Sequence, residues 1–209
     1  MPAKEIMMNR NYTALKAVVI ILLPLFLFVA GGTAEVQKTT FDWTMGLQNV
    51  KTGDSVAFSA PVQSWTGEMF RLIISPKANC YCYIVAESPD GESVEVLYAN
   101  AMKIDDVWYS QIMELTSPKG SESIYVVMSL EEQKTLAQRI SALGPNSTAT
   151  QKRAVINEVF RLRSETSKFA EVPEKPVLMG GAARGTPEKN QGVEFSGSGI
   201  YVKTISIEH

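Results

Sequence analysis

Histidine is almost absent from this sequence: its 209 residues include one, His209, the last residue printed. Histidine is the side chain that most often serves as a general base near neutral pH. With none inside the chain, the Ser–His and Cys–His arrangements of common hydrolases are excluded. A Gly-x-Ser-x-Gly motif, a phosphate-binding loop and a dinucleotide fingerprint are also missing. The sequence therefore predicts no catalytic residue and no cofactor.

Paired carboxylates are the remaining source of chemistry. Asp105-Asp106 and Glu131-Glu132 are adjacent acidic pairs, and two convergent carboxyl groups in a cleft can act as an acid and a base. Both pairs also have a structural interpretation, as a solvated turn and as a helix N-terminus, where negative charge is favourable. An envelope enzyme that uses paired carboxylates is therefore the alternative hypothesis.

An excess of one charge is missing as well. The chain has 20 Lys and Arg against 22 Asp and Glu, a net charge of −2, with a calculated pI of about 5.6. A near-neutral chain lacks the basic surface that binds the phosphate backbone. This composition argues against nucleic acid as a partner.

Cysteine is scarce, and both copies lie together as Cys80 and Cys82 in the stretch NCYCYIVAES. Residues two apart on a strand point to the same face, with parallel Cβ vectors that do not favour a disulfide. We interpret both thiols as small core residues. A redox pair is less well supported, since the reactive spacing is Cys-x-x-Cys, and a metal site would need about four ligands.

No apolar run is long enough to span a bilayer, which takes about 20 residues. The longest, residues 17–30, contains Pro24, follows Lys4, Arg10 and Lys16, and precedes Gly-Gly-Thr-Ala. A basic start, a short apolar middle and small residues before a cleavage point are typical of a secretory signal peptide. We predict residues 1–34 as a signal peptide cleaved near Ala34, with an uncleaved anchor as the alternative. The exported chain, residues 35–209, would be secreted or periplasmic and form a single domain.

Short alternating segments separated by turn residues dominate that domain. In the first segment, four apolar side chains alternate at Phe41, Trp43, Met45 and Leu47, as in a half-buried strand. Further strands are predicted at residues 55–60, 68–75, 80–87, 93–98, 108–115, 123–128 and 200–207. We expect the first and last strands to lie in the same sheet.

The spacing of the apolar residues changes after residue 128, from the alternation of strands to the spacing of helices. Ser129 and Glu132 form a capping-box pattern, which predicts a helix to about Leu143. A second helix is predicted from Thr148 to about Glu165, and a long Gly/Pro-rich loop over residues 170–198. The predicted fold is mainly β with a helical pair (α+β): an antiparallel β-sandwich or open barrel, with two helices inserted before the final strand.

Two surfaces are candidates for binding. If Cys80 and Cys82 face inward, Tyr81 and Tyr83 face the other way and can contact a glycan or a peptide. The alternative is that the helical pair covers these tyrosines with its apolar stripe. Arg184 in the long loop is the third predicted contact residue. The cations of the second helix are interpreted as a solvated face, or otherwise as a site for an anionic polymer.

Several short motifs carry a resemblance to a known family. They are Gly53-Asp54, the aromatic strand 80–87, the turn Pro89-Asp90-Gly91, the strand end VLYAN at residues 96–100, and Pro118-Lys119-Gly120-Ser121-Glu122 before an apolar strand. Residues 47–130 thereby resemble the bacterial domain-of-unknown-function family 4384. The resemblance implies an envelope-associated, β-rich module with no established activity. The leading hypothesis is an exported, non-enzymatic binding or structural module of the bacterial cell envelope, whose partner is another envelope protein or a glycan.

Overall fold

The computed structural model of the chain describes residues 40–166, 175–178 and 191–209. The predicted signal peptide and Arg184 lie outside the described residues, and so does most of the predicted loop 170–198. Within that loop, however, two strands are described, so the expectation of a wholly irregular loop is wrong. The described residues form one compact unit.

The first sheet is built around the segment of alternating aromatic and apolar residues, whose prediction as a strand is confirmed. Its strands are β1 (Thr40–Asn49), β2 (Ser55–Val56), β4 (Met69–Pro76), β7 (Trp108–Tyr109), β8 (Met113–Glu114), β10 (Lys175–Leu178) and β11 (Gln191–Ser198). Their hydrogen-bonded order is β10-β11-β1-β4-β7, with β2 paired to β1 and β8 paired to β4. The pairings within this sheet are antiparallel.

The second sheet has five strands. They are β3 (Val62–Gln63), β5 (Cys80–Glu87), β6 (Val94–Met102), β9 (Ser121–Ser129) and β12 (Ile200–Glu208). Their hydrogen-bonded order is β3-β12-β9-β5-β6. The pairings are antiparallel except that between β3 and β12, which is parallel.

A single residue carries the chain from the first sheet to the second. Gly199 separates β11 from β12 and has φ +79°, a conformation that L side chains adopt at a cost. Because β11 pairs with β1 while β12 pairs with β9, the first and last strands lie in different sheets. The expectation that they share one sheet is therefore wrong.

The two sheets pack face to face around the main core, as in a β-sandwich. Inward-facing side chains of β1, β4, β5, β9 and β12 are buried together in this core. Its largest fully buried members are Trp43, Phe70, Met45, Leu47, Leu72, Ile74, Ile84, Leu115 and Met128. The predicted mainly-β sandwich is confirmed, and the sheets do not close into a barrel.

Two helices form a third layer on the outer face of the second sheet. Helix α1 (Lys134–Ser141) buries Leu136, and α2 (Ala149–Thr166) buries one apolar stripe. They cover outward-facing residues of β5 and β9, so a second core forms from Tyr83, Val85, Tyr125, Val127, Leu136, Val155, Ile156, Val159 and Leu162. In the described part of the chain, neither helix is long and apolar enough to cross a bilayer.

Local details differ from the predictions in two places. The predicted capping box is not formed: Ser129 ends β9, and α1 begins at Lys134 after Gln133, which makes no side-chain cap. The hydroxyl of Ser129 instead accepts hydrogen bonds from Glu131 N and Gln133 Nε2, at 3.3 Å and 2.9 Å. The predicted strand 108–115 is two separate two-residue strands, because Ser110 turns inward and its Oγ accepts from Leu72 N.

Candidate functional site

Both thiols lie in the main core, as predicted. Cys80 is 3% exposed and Cys82 is fully buried, and both are free cysteines. Burial raises the pKa of Cys80 to about 11 and that of Cys82 well above its ordinary value. Since the thiolate is the reactive form, these residues are chemically protected core residues.

The predicted tyrosine surface is covered. Tyr83 is 2% exposed beneath the helical pair, and its hydroxyl accepts a hydrogen bond of 3.0 Å from the Gln133 amide. Tyr81 is half-buried and packs against the same second core. The arrangement is the alternative given above, in which the helices cover both tyrosines. Of the two interpretations, an exposed tyrosine pair does not hold for Tyr83, because α1 and α2 bury their apolar stripe on this face.

The cations of α2 contact groups of the same chain. Lys152 Nζ donates to Glu92 O at 2.8 Å, and an Arg153 Nη lies 3.5 Å from Glu87. Arg161 pairs with Glu158 at 2.7 Å and with Glu165 at 2.5 Å. These contacts favour the interpretation as a structural, solvated face over a site for an anionic polymer.

The adjacent carboxylates at 105–106 stabilise a turn of the chain. Asp105 has φ 62° in a turn and lies 3.7 Å from Lys77 Nζ, while Asp106 accepts from the Lys103 amide at 2.9 Å. Glu131 and Glu132 are exposed and precede α1. Asp105 and Asp106 thus have structural roles, in agreement with the interpretation of this pair as a solvated turn.

A cleft of about 510 Å³ lies at one end of the second sheet. We call it the Trp65 cleft, after its most exposed large side chain, which is 78% exposed. Three segments form its walls: the connection from β3 to β4, the turn before β9, and the end of β12. Its lining residues are Gln63, Ser64, Trp65, Thr66, Lys119, Gly120, Ser121, Glu208 and His209. Apart from the indole and the glycine backbone, these side chains are polar.

A tight turn presents Trp65 to solvent. Glu68 N donates to Trp65 O at 3.0 Å, and Gly67, at the third turn position, has φ +89°. Glycine adopts this conformation without steric cost, which is why Thr-Gly can follow the tryptophan here. Two further hydrogen bonds anchor the turn: Gly67 N donates to Leu115 O, and Ser64 N donates to Glu208 O, each at 2.8 Å.

The opposite segment of the cleft is fixed by a close packing contact. Gly120 exchanges two backbone hydrogen bonds with His209, of 3.1 Å and 3.0 Å. A Cβ added to Gly120 would lie 2.6 Å from the Cβ of Pro89, so this position requires glycine. The two turns that carried the family resemblance, Pro89-Asp90-Gly91 and Pro118–Glu122, therefore pack against each other beside the cleft.

The floor of the cleft contains the single histidine. The side chain of His209 is fully buried, with Thr66 Oγ1 3.3 Å from its Nδ1 and Glu122 Oε1 3.6 Å from its Nε2. Among the described atoms, Nε2 has no hydrogen-bond partner, although Glu122 is within ion-pairing distance when the imidazole is protonated. Burial raises the pKa of Glu122, and His209 partly opposes this.

The contact between His209 and Thr66 could not be predicted from the sequence, because the expected partners of a histidine are serine and cysteine. Here the hydroxyl belongs to a threonine that is 143 residues away in the chain. Both contacts are longer than well-formed hydrogen bonds between such groups, which are about 2.7–3.2 Å. The cleft also escaped prediction, although one signal was present: a tryptophan in the polar turn Gln-Ser-Trp-Thr-Gly-Glu has no apolar alternation around it and is expected to be exposed.

Comparisons with protein-family models, with curated proteins and with solved structures find no match to the chain. The resemblance to the domain-of-unknown-function family 4384 therefore stays a prediction from the motifs.

Proposed function

We propose that this chain is an exported, non-enzymatic binding module of the bacterial cell envelope and that the Trp65 cleft is its contact surface. Export is supported by the signal-peptide pattern of residues 1–34, and a bacterial envelope by the motifs that resemble family 4384. We assign the contact surface to the cleft and not to the buried tyrosines, because the cleft combines an open concave shape with an accessible aromatic ring.

The observation that carries the proposal is the exposure of Trp65. Tryptophan is enriched at binding sites because it gives a large rigid contact area and loses little conformational entropy. The cleft volume of about 510 Å³ falls in the range of small-ligand sites, roughly 300–1,000 Å³. An indole that is 78% exposed next to such a cleft contributes little to the fold, so a contact role explains its position better.

Binding is better supported than catalysis. The carboxylate of Glu208 accepts from Gln63 Nε2 at 2.5 Å, and that of Glu68 accepts from Ser64 Oγ at 2.5 Å. These groups are held as hydrogen-bond partners of their neighbours and do not form an acid–base pair. The enzyme hypothesis with paired carboxylates gains no specific support from the described residues.

The test of this proposal is cosedimentation with a native envelope fraction of the source bacterium. We expect the exported chain to sediment with the fraction and the Trp65→Ala variant to remain in the supernatant. Tyr109→Ala is the matched control, since Tyr109 is a 49% exposed aromatic residue outside the cleft. Equal sedimentation of the wild type and Trp65→Ala would contradict the assignment of the cleft.

Export is tested separately by the N-terminal sequence of the protein recovered from the source bacterium. We expect it to begin at or near Glu35 and to be found outside the cytoplasm. A cytoplasmic protein that retains residues 1–34 would contradict the proposed location, and a membrane-bound protein that retains them would establish the uncleaved anchor.

A further inference from the structure

The polar surroundings of Trp65 restrict what the cleft can bind. Hot spots in protein–protein interfaces usually lie in well-packed pockets ringed by contacts that exclude water. Trp65 is instead surrounded by an amide, hydroxyl groups, an ammonium group and a carboxylate. A ligand that suits this surface has one apolar face for the indole and many hydroxyl groups around it. A pyranose ring has this distribution, with C–H groups on its faces and hydroxyl groups at its edge.

Lys119 adds a charge to this surface. It is exposed on the turn before β9, and none of the ion pairs among the described residues involves it. Glu208, the acidic residue of the cleft lining, accepts a hydrogen bond of 2.5 Å from Gln63 and forms no ion pair with Lys119 among the described contacts. The ammonium group is therefore available to an anionic substituent of a ligand that occupies the cleft.

The walls that hold Trp65 and Lys119 are fixed relative to each other. Ser64 is bonded to Glu208, and Gly120 exchanges two hydrogen bonds with His209, so both walls are attached to the end of β12. A preformed geometry lowers the entropy that a ligand loses on binding. The spacing between the backbone segments that carry the indole and the ammonium group is thus set by the fold.

We propose that the Trp65 cleft binds an acidic glycan: a pyranose ring packs on Trp65 and a carboxylate of the same glycan pairs with Lys119. This inference rests on the proposed function and names its ligand class. The net charge of −4 that remains without residues 1–34 disfavours non-specific adsorption of polyanions. A preference for an acidic glycan would therefore come from the local charge of Lys119.

The experiment compares two oligosaccharides of equal length by calorimetry and by quenching of tryptophan fluorescence. A hyaluronan hexasaccharide carries alternating carboxylates, whereas chitohexaose consists of neutral N-acetylglucosamine. At low salt we expect tighter binding of the acidic probe by up to about fivefold, the upper end of the range for one exposed ion pair. The preference should disappear at about 0.5 M salt, where the Debye length is about 4 Å.

Two variants separate the contributions of the two residues. Trp65→Ala should weaken binding of both probes by at least about tenfold, as for a contact hot spot. Lys119→Gln should abolish the preference for the acidic probe over chitohexaose. Lys103→Gln, which removes an exposed lysine outside the cleft, should change neither. Equal binding of both probes, or a preference that survives Lys119→Gln, overturns the role of the carboxylate.

The outcome for the ligand class is independent of the outcome for the proposed function. If neither probe binds while cosedimentation with the envelope fraction still depends on Trp65, the glycan inference fails and the binding function stands. If protease treatment of the envelope fraction abolishes that cosedimentation, the partner is a protein and the inference is likewise overturned.

Discussion

Two tryptophans show how differently this chain uses the same side chain. Trp43 is fully buried in the main core, stacked on Phe41 and Phe195 with centroids 5.0 Å and 5.7 Å away, and in edge contact with Tyr201 at 4.9 Å. Trp65 is 78% exposed on a turn and has polar neighbours. The first residue stabilises the sandwich, and the second has no such role. The region that stabilises the fold and the region proposed for recognition are therefore separate, which makes the two roles separable by mutation.

The largest effect on stability is expected in the aromatic region of the main core. Trp43→Ala should lower the free energy of unfolding by about 3–5 kcal/mol, the usual cost of removing a large buried aromatic ring. Urea unfolding followed by circular dichroism measures this directly. Trp65→Ala is the matched control and should shift the midpoint little. A loss below about 1 kcal/mol for Trp43→Ala would mean that the two tryptophans do not differ as their burial indicates.

The next largest effect is a loss of stability at alkaline pH, which the buried thiols should cause. Burial raises the pKa of Cys80 from 9.0 to about 11, so the folded chain keeps a proton that the unfolded chain loses. Stability from this group is complete below about pH 9 and falls as the pH rises towards 11, by about 1.4 kcal/mol per pH unit. Chemical denaturation at several pH values measures the slope.

The control for this slope is the Cys80→Ala/Cys82→Ala variant, in which the part of the alkaline loss due to the thiols should vanish. A thiol-labelling reagent should also react with the wild type only after unfolding. Rapid labelling of the native chain would place the thiols outside the core and remove the contrast between a protected interior and an open cleft.

A smaller loss of stability is expected at Gly120, on the turn that forms one wall of the cleft. Gly120→Ala should cost about 1–3 kcal/mol, because its Cβ would lie 2.6 Å from Pro89 Cβ and the residue has φ +154°. Gly144→Ala is the control, since a Cβ there meets no atom within 4 Å. Thermal unfolding compares the two. Equal stability of both variants would show that the packing of the two turns does not fix the cleft wall.

The smallest effect on stability should accompany the largest effect on binding. Trp65→Ala should change the free energy of unfolding by less than about 0.5 kcal/mol, as is usual for exposed positions. The same variant should lose cosedimentation with the envelope fraction. If it were destabilised by several kcal/mol instead, Trp65 would belong to the structural region and the proposed separation would be wrong.

Much of the fold could be predicted from local patterns. The alternation at Phe41, Trp43 and Met45 identified β1, and the change of period after residue 128 identified the helical pair, because each pattern follows from the geometry of one element. The start of α1 was misplaced, since Ser129 satisfies its hydrogen bonds within the end of β9 and beside Gln133. Competition between neighbouring backbone groups decided that boundary.

The candidate site was much less predictable. The tyrosines at positions 81 and 83 alternate correctly, but their exposure depends on where the helices dock. The Trp65 cleft is assembled from segments that lie far apart in the sequence, as the contact between Thr66 and His209 illustrates. No local sequence pattern predicts that these segments lie together, since their contact results from the pairing of β3 with β12.

The sequence by itself determined which side chains of each strand and helix are apolar, and hence that two thiols and one tryptophan belong inside a sheet-rich domain. Only the tertiary structure decided which sheet each strand joins, which face the helices cover and which polar residues share a cleft. The physical reason is that periodicity is fixed by the geometry of one element, whereas docking depends on all the apolar faces that must be buried together.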